Sequence, residues 1–166
     1  MTIDEICEKY EIENYTINDD GTIDVNGNVD LDRKYLTELP LRFNKVTGYF
    51  DCTKNNLTTL KGSPRWVGSS FSCSKNKLKS LEFSPDYIGG FFNCSRNRLP
   101  SLEFSPDYVG GYFSCRCEYL TDIYCDNTNI NNIPDTLINM TTLVCRNTLI
   151  TRMPTTLTKM QYLYLR

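Results

Sequence analysis

The chain has 166 residues, a formal charge of −2 and a pI near 5.2, with 40% of its residues hydrophobic and a mean hydropathy of −0.40. One domain with a real core is the default at this length, no apolar run approaches the 18 residues of a transmembrane helix, and the slight acidity argues against a general polyanion binder. There is no histidine, which removes Ser-His-Asp and Cys-His catalysis and His-ligated metals, and no alanine, the best helix former, so a mostly helical protein is not expected.

Residues 2–10 read as a short helix, with Thr2 and Glu5 as a capping box and Ile3, Ile6, Cys7 and Tyr10 on one face. The start Met1-Thr2-Ile3-Asp4-Glu5 lacks the basic opening and apolar stretch of a signal peptide, so no leader is expected. Further on, Thr22–Val25 and Val29–Leu31 alternate around Asn26-Gly27, which predicts a hairpin. Residues 1–28 are therefore expected to cap the apolar edge of the first coil, as solenoids require.

From residue 29 onward the chain is periodic. Cys52, Cys73, Cys94 and Cys115 are 21 residues apart, and Cys125 and Cys145 are 20 apart; a fixed period of this length marks a solenoid. The motif Phe-x-Cys-x-x-Asn-x-Leu occupies 50–57, 71–78 and 92–99. Each copy is followed by a second leucine (Leu60, Leu81, Leu102), a proline (Pro64, Pro85, Pro106) and a Val/Ile-Gly step (Val67-Gly68, Ile88-Gly89, Val109-Gly110). Leu31, with Val29 in the Phe column, continues the register backward; Leu165, with Leu163 in that column, continues it forward. Alternation at Phe-x-Cys turns both side chains to one face of a short strand. Asn55, Asn76 and Asn97 are expected to form a ladder satisfying backbone groups where each strand turns away. The glycines read as turn elements absorbing the extra residue of the 21-residue units. Cysteines in one column read as buried reduced thiols rather than disulfides or a zinc site, since one column does not converge on four ligands.

This pattern resembles a leucine-rich repeat, L-x-x-L-x-L-x-x-N-x-L-x-x-L-P with Phe and Cys in two leucine places, over residues 29–166. The resemblance implies a mainly β solenoid of short parallel strands stacked in coils, with few helices and the helix-and-hairpin cap at 1–28. One unit, at about 113–124, is irregular. The step from Cys115 to Cys125 is ten residues, too short for a coil. Either one of Phe113–Cys115 and Ile123–Cys125 leaves the ladder, or the sheet is interrupted. Cys117, Glu118 and Tyr119 lie here, in a stretch that reads equally as a degenerate repeat or as a protrusion engaging a target. Leu163-Tyr164-Leu165 has no polar cap after it, so that strand is expected to be covered by a partner, a second copy or a further segment.

Solenoids bind on the concave face tiled by outward strand residues. In this register that face carries Tyr49, Phe91, Tyr112 and Tyr162 in one column, Tyr124 and Tyr164 in the next, and Arg116 and Arg146 in a third. A fourth column begins Lys54, Lys75, Arg96. Aromatics beside arginines have the composition of interface hot spots. Glu82, Asp86, Glu103 and Asp107 are expected on the opposite side, giving an electrically two-faced molecule. No phosphate loop, carboxylate pair or metal-ligand spacing appears, so neither catalysis nor a cofactor is expected; Cys117 beside Arg116 lacks a histidine base.

The repeat with Ser-Pro and Val-Gly-Gly, headed by Tyr15-Thr16-Ile17-Asn18 and Ile23-Asp24-Val25, resembles small leucine-rich repeat proteins of tailed bacteriophages. The 20-residue units with Ile133-Pro134 and Met153-Pro154 are similar to those of bacterial secreted effectors. The phage resemblance implies a protein made in the cytoplasm of an infected bacterium that binds a bacterial or phage protein. The leading expectation is a non-enzymatic module occluding a host defence protein, with no membrane partner. A second is a sponge for a nucleotide or short nucleic acid held by the basic row and the aromatics at 49, 91 and 112. A third is a virion or assembly component, self-associating through the last strand.

Overall fold

The computed structural model describes residues 1–100, 102–115, 122–124, 133, 140–146, 148, 150–155 and 157–165, with only the backbone described at 122–124. Among them is one helix, α1 (Ile3–Lys9), closed as its sequence predicts: the Glu5 amide donates to Thr2 Oγ1 at 3.2 Å and the Thr2 amide to Glu5 Oε2 at 2.8 Å. Cys7 is buried, and Ile3, Ile6 and Tyr10 pack against the core.

The hairpin is present but is built from other strands. β1 (Tyr15–Ile17) pairs antiparallel with β2 (Ile23–Val25). β3 (Val29–Asp30) lies in a different sheet from β2, so Asn26-Gly27 is a corner between sheets rather than a hairpin turn. Val25 and Val29 do not bond each other because both bond the next coil: the Thr47 amide donates to the Val25 carbonyl at 3.0 Å and the Val29 amide to Tyr49 O at 2.8 Å. β2 is thus both a cap strand and the first rung of the solenoid.

Each coil supplies a strand to each of two sheets. The first runs β1-β2-β4-β6-β8-β10, where β4 is Phe43–Val46, β6 Trp66–Val67, β8 Tyr87–Ile88 and β10 Tyr108–Val109. The second holds β3, β5 (Phe50–Asp51), β7 (Phe71–Ser72), β9 (Phe92–Asn93) and β11 (Phe113–Ser114). All pairs except β1/β2 are parallel, with Phe50, Phe71, Phe92 and Phe113 in register. The Val/Ile-Gly step therefore carries a whole sheet rather than a turn. Its glycines are needed for close approach: a Cβ on Gly89 would strike the carbonyl oxygen of Gly68, and one on Gly110 that of Gly89. The ladder stays unbroken through this corner, the Gly89 amide reaching Val67 O at 2.9 Å and the Gly90 amide Ser69 O at 2.7 Å.

Between the sheets lie the phenylalanines of the Phe-x-Cys motif with the repeat leucines and cysteines, fully buried through the central coils. Phe50 and Phe71 stack at 5.5 Å and Phe92 and Phe113 at 5.1 Å between centroids. Cys52, Cys73, Cys94 and Cys115 form a column of buried thiols. The Cys52 S–H donates to Ser72 O at 3.4 Å, and burial pushes that thiol well above its ordinary range. The asparagine ladder forms as expected. Asn55 donates to Leu31 O and Cys52 O at 2.7 and 3.0 Å, Asn97 to Cys73 O and Cys94 O at 3.0 and 2.9 Å.

A third, three-stranded parallel sheet holds β12 (Asp122–Tyr124), β13 (Thr142–Val144) and β14 (Tyr162–Tyr164), aligning Ile123, Leu143 and Leu163 as the 20-residue period requires. β11 and β12 belong to different sheets, so the ten-residue step is an interruption of the sheet. Leu143 is fully buried, whereas Leu163 is 47% exposed.

Candidate interaction face

Because Phe50, Phe71, Phe92 and Phe113 point inward, the residues before and after them point outward from the second sheet. The column before them reads Tyr49, Ser70, Phe91, Tyr112. Phe91 and Tyr112 stack nearly parallel, at 5.0 Å and 6°. Tyr112 is 58% exposed. Ser70 breaks the aromatic run, its Oγ accepting the Phe91 amide at 3.2 Å. A cleft of about 350 Å³ opens there, lined by Tyr49, Asp51, Ser69, Ser70, Ser72 and Phe91 above the Phe50 strand.

The next columns along each strand are polar. Thr53 Oγ1 and Ser72 Oγ share a hydrogen bond at 2.8 Å, and Ser95 and Ser114 one at 3.0 Å. Asp30 and Asp51 are in register on adjacent parallel strands. Their Oδ1 atoms accept the amides of Asp32 and Thr53 at 3.0 and 2.8 Å.

The basic row lies where each strand turns away. Lys54, Lys75 and Arg96 have φ of 54°, 56° and 58°, and Arg33 in the first coil has 54°. Their backbone is held by the ladder, the Lys54 amide donating to Ser74 O at 3.0 Å and the Lys75 amide to Ser95 O at 2.9 Å. A left-handed conformation costs a residue with a Cβ about 1 kcal/mol, and asparagine or glycine tolerates it best. Arg33 completes the row and pairs with Asp32 at 3.4 Å. It lies 21 residues before Lys54, so the period alone places it in this column, and the row begins one coil earlier than Lys54.

The predicted surface divides between sheets. Tyr49, Phe91, Tyr112 and the basic row share the second sheet, while Tyr162 and Tyr164 are exposed on β14 and exposed Arg146 follows β13. Tyr124 lies on β12, with its side chain outside the described residues. Arg116, Cys117, Glu118 and Tyr119 also lie outside them. Charge is interleaved rather than two-faced: Glu82, Asp86, Glu103 and Asp107 are exposed, but Asp30 and Asp51 stand on the sheet that the basic row terminates, and Arg65 heads the column of Asp86 and Asp107.

Sequence reasoning missed a second aromatic column, on the first sheet. Lys45 Nζ sits 4.8 Å above the Trp66 ring, Trp66 stacks on Tyr87 at 5.4 Å, and Tyr87 on Tyr108 at 4.7 Å. The signal was available: these residues immediately precede the Val/Ile of each Val/Ile-Gly step. Also missed were Phe83 and Phe104, both exposed, with φ of 68° and 63°, in the column that Gly62 begins at 97°.

Compared with known proteins, the chain matches no family model, no curated protein and no solved structure.

Proposed function

We propose that this protein is a non-enzymatic binding scaffold that holds a protein partner on the outward face of the Phe-x-Cys sheet. Its resemblance to phage leucine-rich repeat proteins makes a bacterial protein in the same cytoplasm, blocked by being bound, the partner class to test. One observation carries the reading: four successive coils put a lysine or arginine in a left-handed backbone position. Each of these backbone positions carries a conformational cost that asparagine or glycine would lessen, a pattern that points to selection for what the side chains contact. The absence of histidine from the chain weighs against acid–base or nucleophilic catalysis by the commonest side chain for both.

The sponge for nucleotides would use the same stack and basic row, but Asp30 and Asp51 on that sheet repel phosphate. The test is a tagged pull-down from bacterial lysate, run beside a Lys54→Glu, Lys75→Glu, Arg96→Glu variant. A protein retained by the intact chain and lost by the variant supports the reading. Retention of no protein, with a small phosphorylated compound co-eluting instead, transfers support to the sponge.

A further inference from the structure

We propose that the break at Ser70 is a slot for one aromatic side chain of the protein partner, with a lysine or arginine beside that residue drawn to Asp30 and Asp51. The inference rests on the reading of this face as protein-binding and names the chemistry the partner must present.

The geometry is that of a stack with one ring missing. Adjacent rungs of a parallel sheet are about 4.8 Å apart. On the outward faces, rings on adjacent rungs stack close to that interval: 5.0 Å for Phe91 and Tyr112, 4.7 Å for Tyr87 and Tyr108, and 5.4 Å for Trp66 and Tyr87. Tyr49 and Phe91 are two rungs apart, about 10 Å by the same spacing, with Ser70 between them. A planar ring entering over Ser70 would therefore have an aromatic neighbour on each side at about the spacing of the protein's own stacks. The cleft of about 350 Å³ lies at this point and includes both aromatic walls. Aromatic pairs in this offset-stacked range contribute beyond the area they bury.

Charge separates a side chain from a base. Asp30 and Asp51 are neighbouring carboxylates on parallel strands, an arrangement that is repulsive by itself. Neither Asp30 nor Asp51 has an ion pair among the described residues; the nearby Arg33 pairs with Asp32 instead. A nucleotide would bring a phosphate to this acidic edge. An ammonium or guanidinium adjacent in sequence to the inserted ring would relieve the repulsion. The hydroxyls of Ser70 and Ser72 and the Asp51 carboxylate can accept from a tyrosine O–H or a tryptophan N–H.

The test uses the full chain, labelled with nitrogen-15, and three probes: the acetylated, amidated tetrapeptides Gly-Lys-Tyr-Gly and Gly-Lys-Ala-Gly, and adenosine monophosphate. The tyrosine peptide is expected to shift the amides of Ser70, Ser72 and Phe91 saturably and to move its own ring protons upfield. The alanine peptide is expected to bind at least tenfold more weakly. Ser70→Phe fills the gap with the chain's own ring and is expected to abolish the response while keeping a dispersed spectrum. Tyr49→Leu, at an exposed position, removes one wall and is expected to weaken the tyrosine peptide about tenfold even if Ser70→Phe fails to fold. Equal binding of the two peptides, an unchanged response in Tyr49→Leu, or tighter binding of adenosine monophosphate than of the tyrosine peptide overturns the slot. A silent peptide titration, alongside a protein still captured by the intact chain and lost by the basic-row variant, overturns the slot alone; capture of no protein overturns the wider reading.

Discussion

Asn76 Oδ1 accepts the Leu57 amide of the preceding coil at 3.0 Å, while its Nδ2 donates to Cys52 O in that coil and to Cys73 O in its own, at 2.9 and 3.1 Å. One buried side chain thus satisfies three backbone groups across two coils. Asn76→Ala leaves the buried Leu57 amide without a partner and takes one of two amide donors from each carbonyl, since Asn55 also donates to Cys52 O and Asn97 to Cys73 O; it is expected to cost about 2 kcal/mol. Asn56→Ala, outside the ladder, is expected to stay within about 0.5 kcal/mol of the parent. Equilibrium denaturation of the two variants measures the contrast.

The corner glycines predict a second contrast. Gly89 is needed for space, because its Cβ would enter the Gly68 carbonyl, a rigid backbone group. Gly21 is needed for its φ of +75° alone, with nothing within 4 Å of an added Cβ. Gly21→Ala is expected to cost about 1 kcal/mol, and Gly89→Ala about 3 kcal/mol with a loss of spectral dispersion in the neighbouring coils. Thermal unfolding and an amide spectrum distinguish the two.

Conformational cost and binding should separate at Lys75. Lys75→Asn keeps the left-handed position with a residue that tolerates it and is expected to stabilise the fold by about 0.5–1 kcal/mol. The same change removes a cation from the proposed interface and is expected to weaken partner capture. A variant that is both more stable and a weaker binder is the expected outcome, read by denaturation midpoint and pull-down yield.

The cap carries a titratable contact. The Tyr15 hydroxyl donates to the Asp4 carboxylate, which raises its pKa from 10 to about 12, with smaller contributions from burial and from the Asp4 charge. The folded protein holds the neutral phenol more tightly than the unfolded chain does. Its contribution is therefore fully present below pH 10 and lost as the pH rises through about 12. Asp4→Asn is expected to bring the Tyr15 titration back toward 10, tracked by phenolate absorbance in the near ultraviolet.

The solenoid was legible because its period is written in residue identity: Phe, Cys, Asn and Leu recur at fixed offsets, and each offset fixes a side chain's direction. The asparagine ladder, buried thiols, capping box and 20-residue register of β12–β14 could all be read at that level. The first sheet was not read as a sheet because glycine follows its Val/Ile directly in each unit, so no second inward side chain repeats there as cysteine does after phenylalanine in the second sheet, whose strands are just as short. Its glycines look like turn residues when φ is unknown; the close approach of successive carbonyls that demands them exists only after stacking. Asn26-Gly27 misled for a related reason. The dipeptide fits a two-residue hairpin, and long-range parallel pairing of both flanking strands overrode it. Within the candidate face, the columns were readable, while the left-handed backbone of the basic row and the gap at Ser70 needed three-dimensional spacing to have meaning.

The corner glycines also make the number of coils separable from what each coil does. Joining Pro85 directly to Asp107 would omit one 21-residue unit and bring Gly110 against the Gly68 carbonyl in the place of Gly89. Tyr112 would then stand opposite Tyr49 in the place of Phe91, and the break at Ser70 would keep an aromatic wall on either side. An in-frame gain or loss of a whole unit therefore alters the reach of the molecule while conserving its recognition geometry, a route by which such a scaffold can track a changing partner without redesigning its interior.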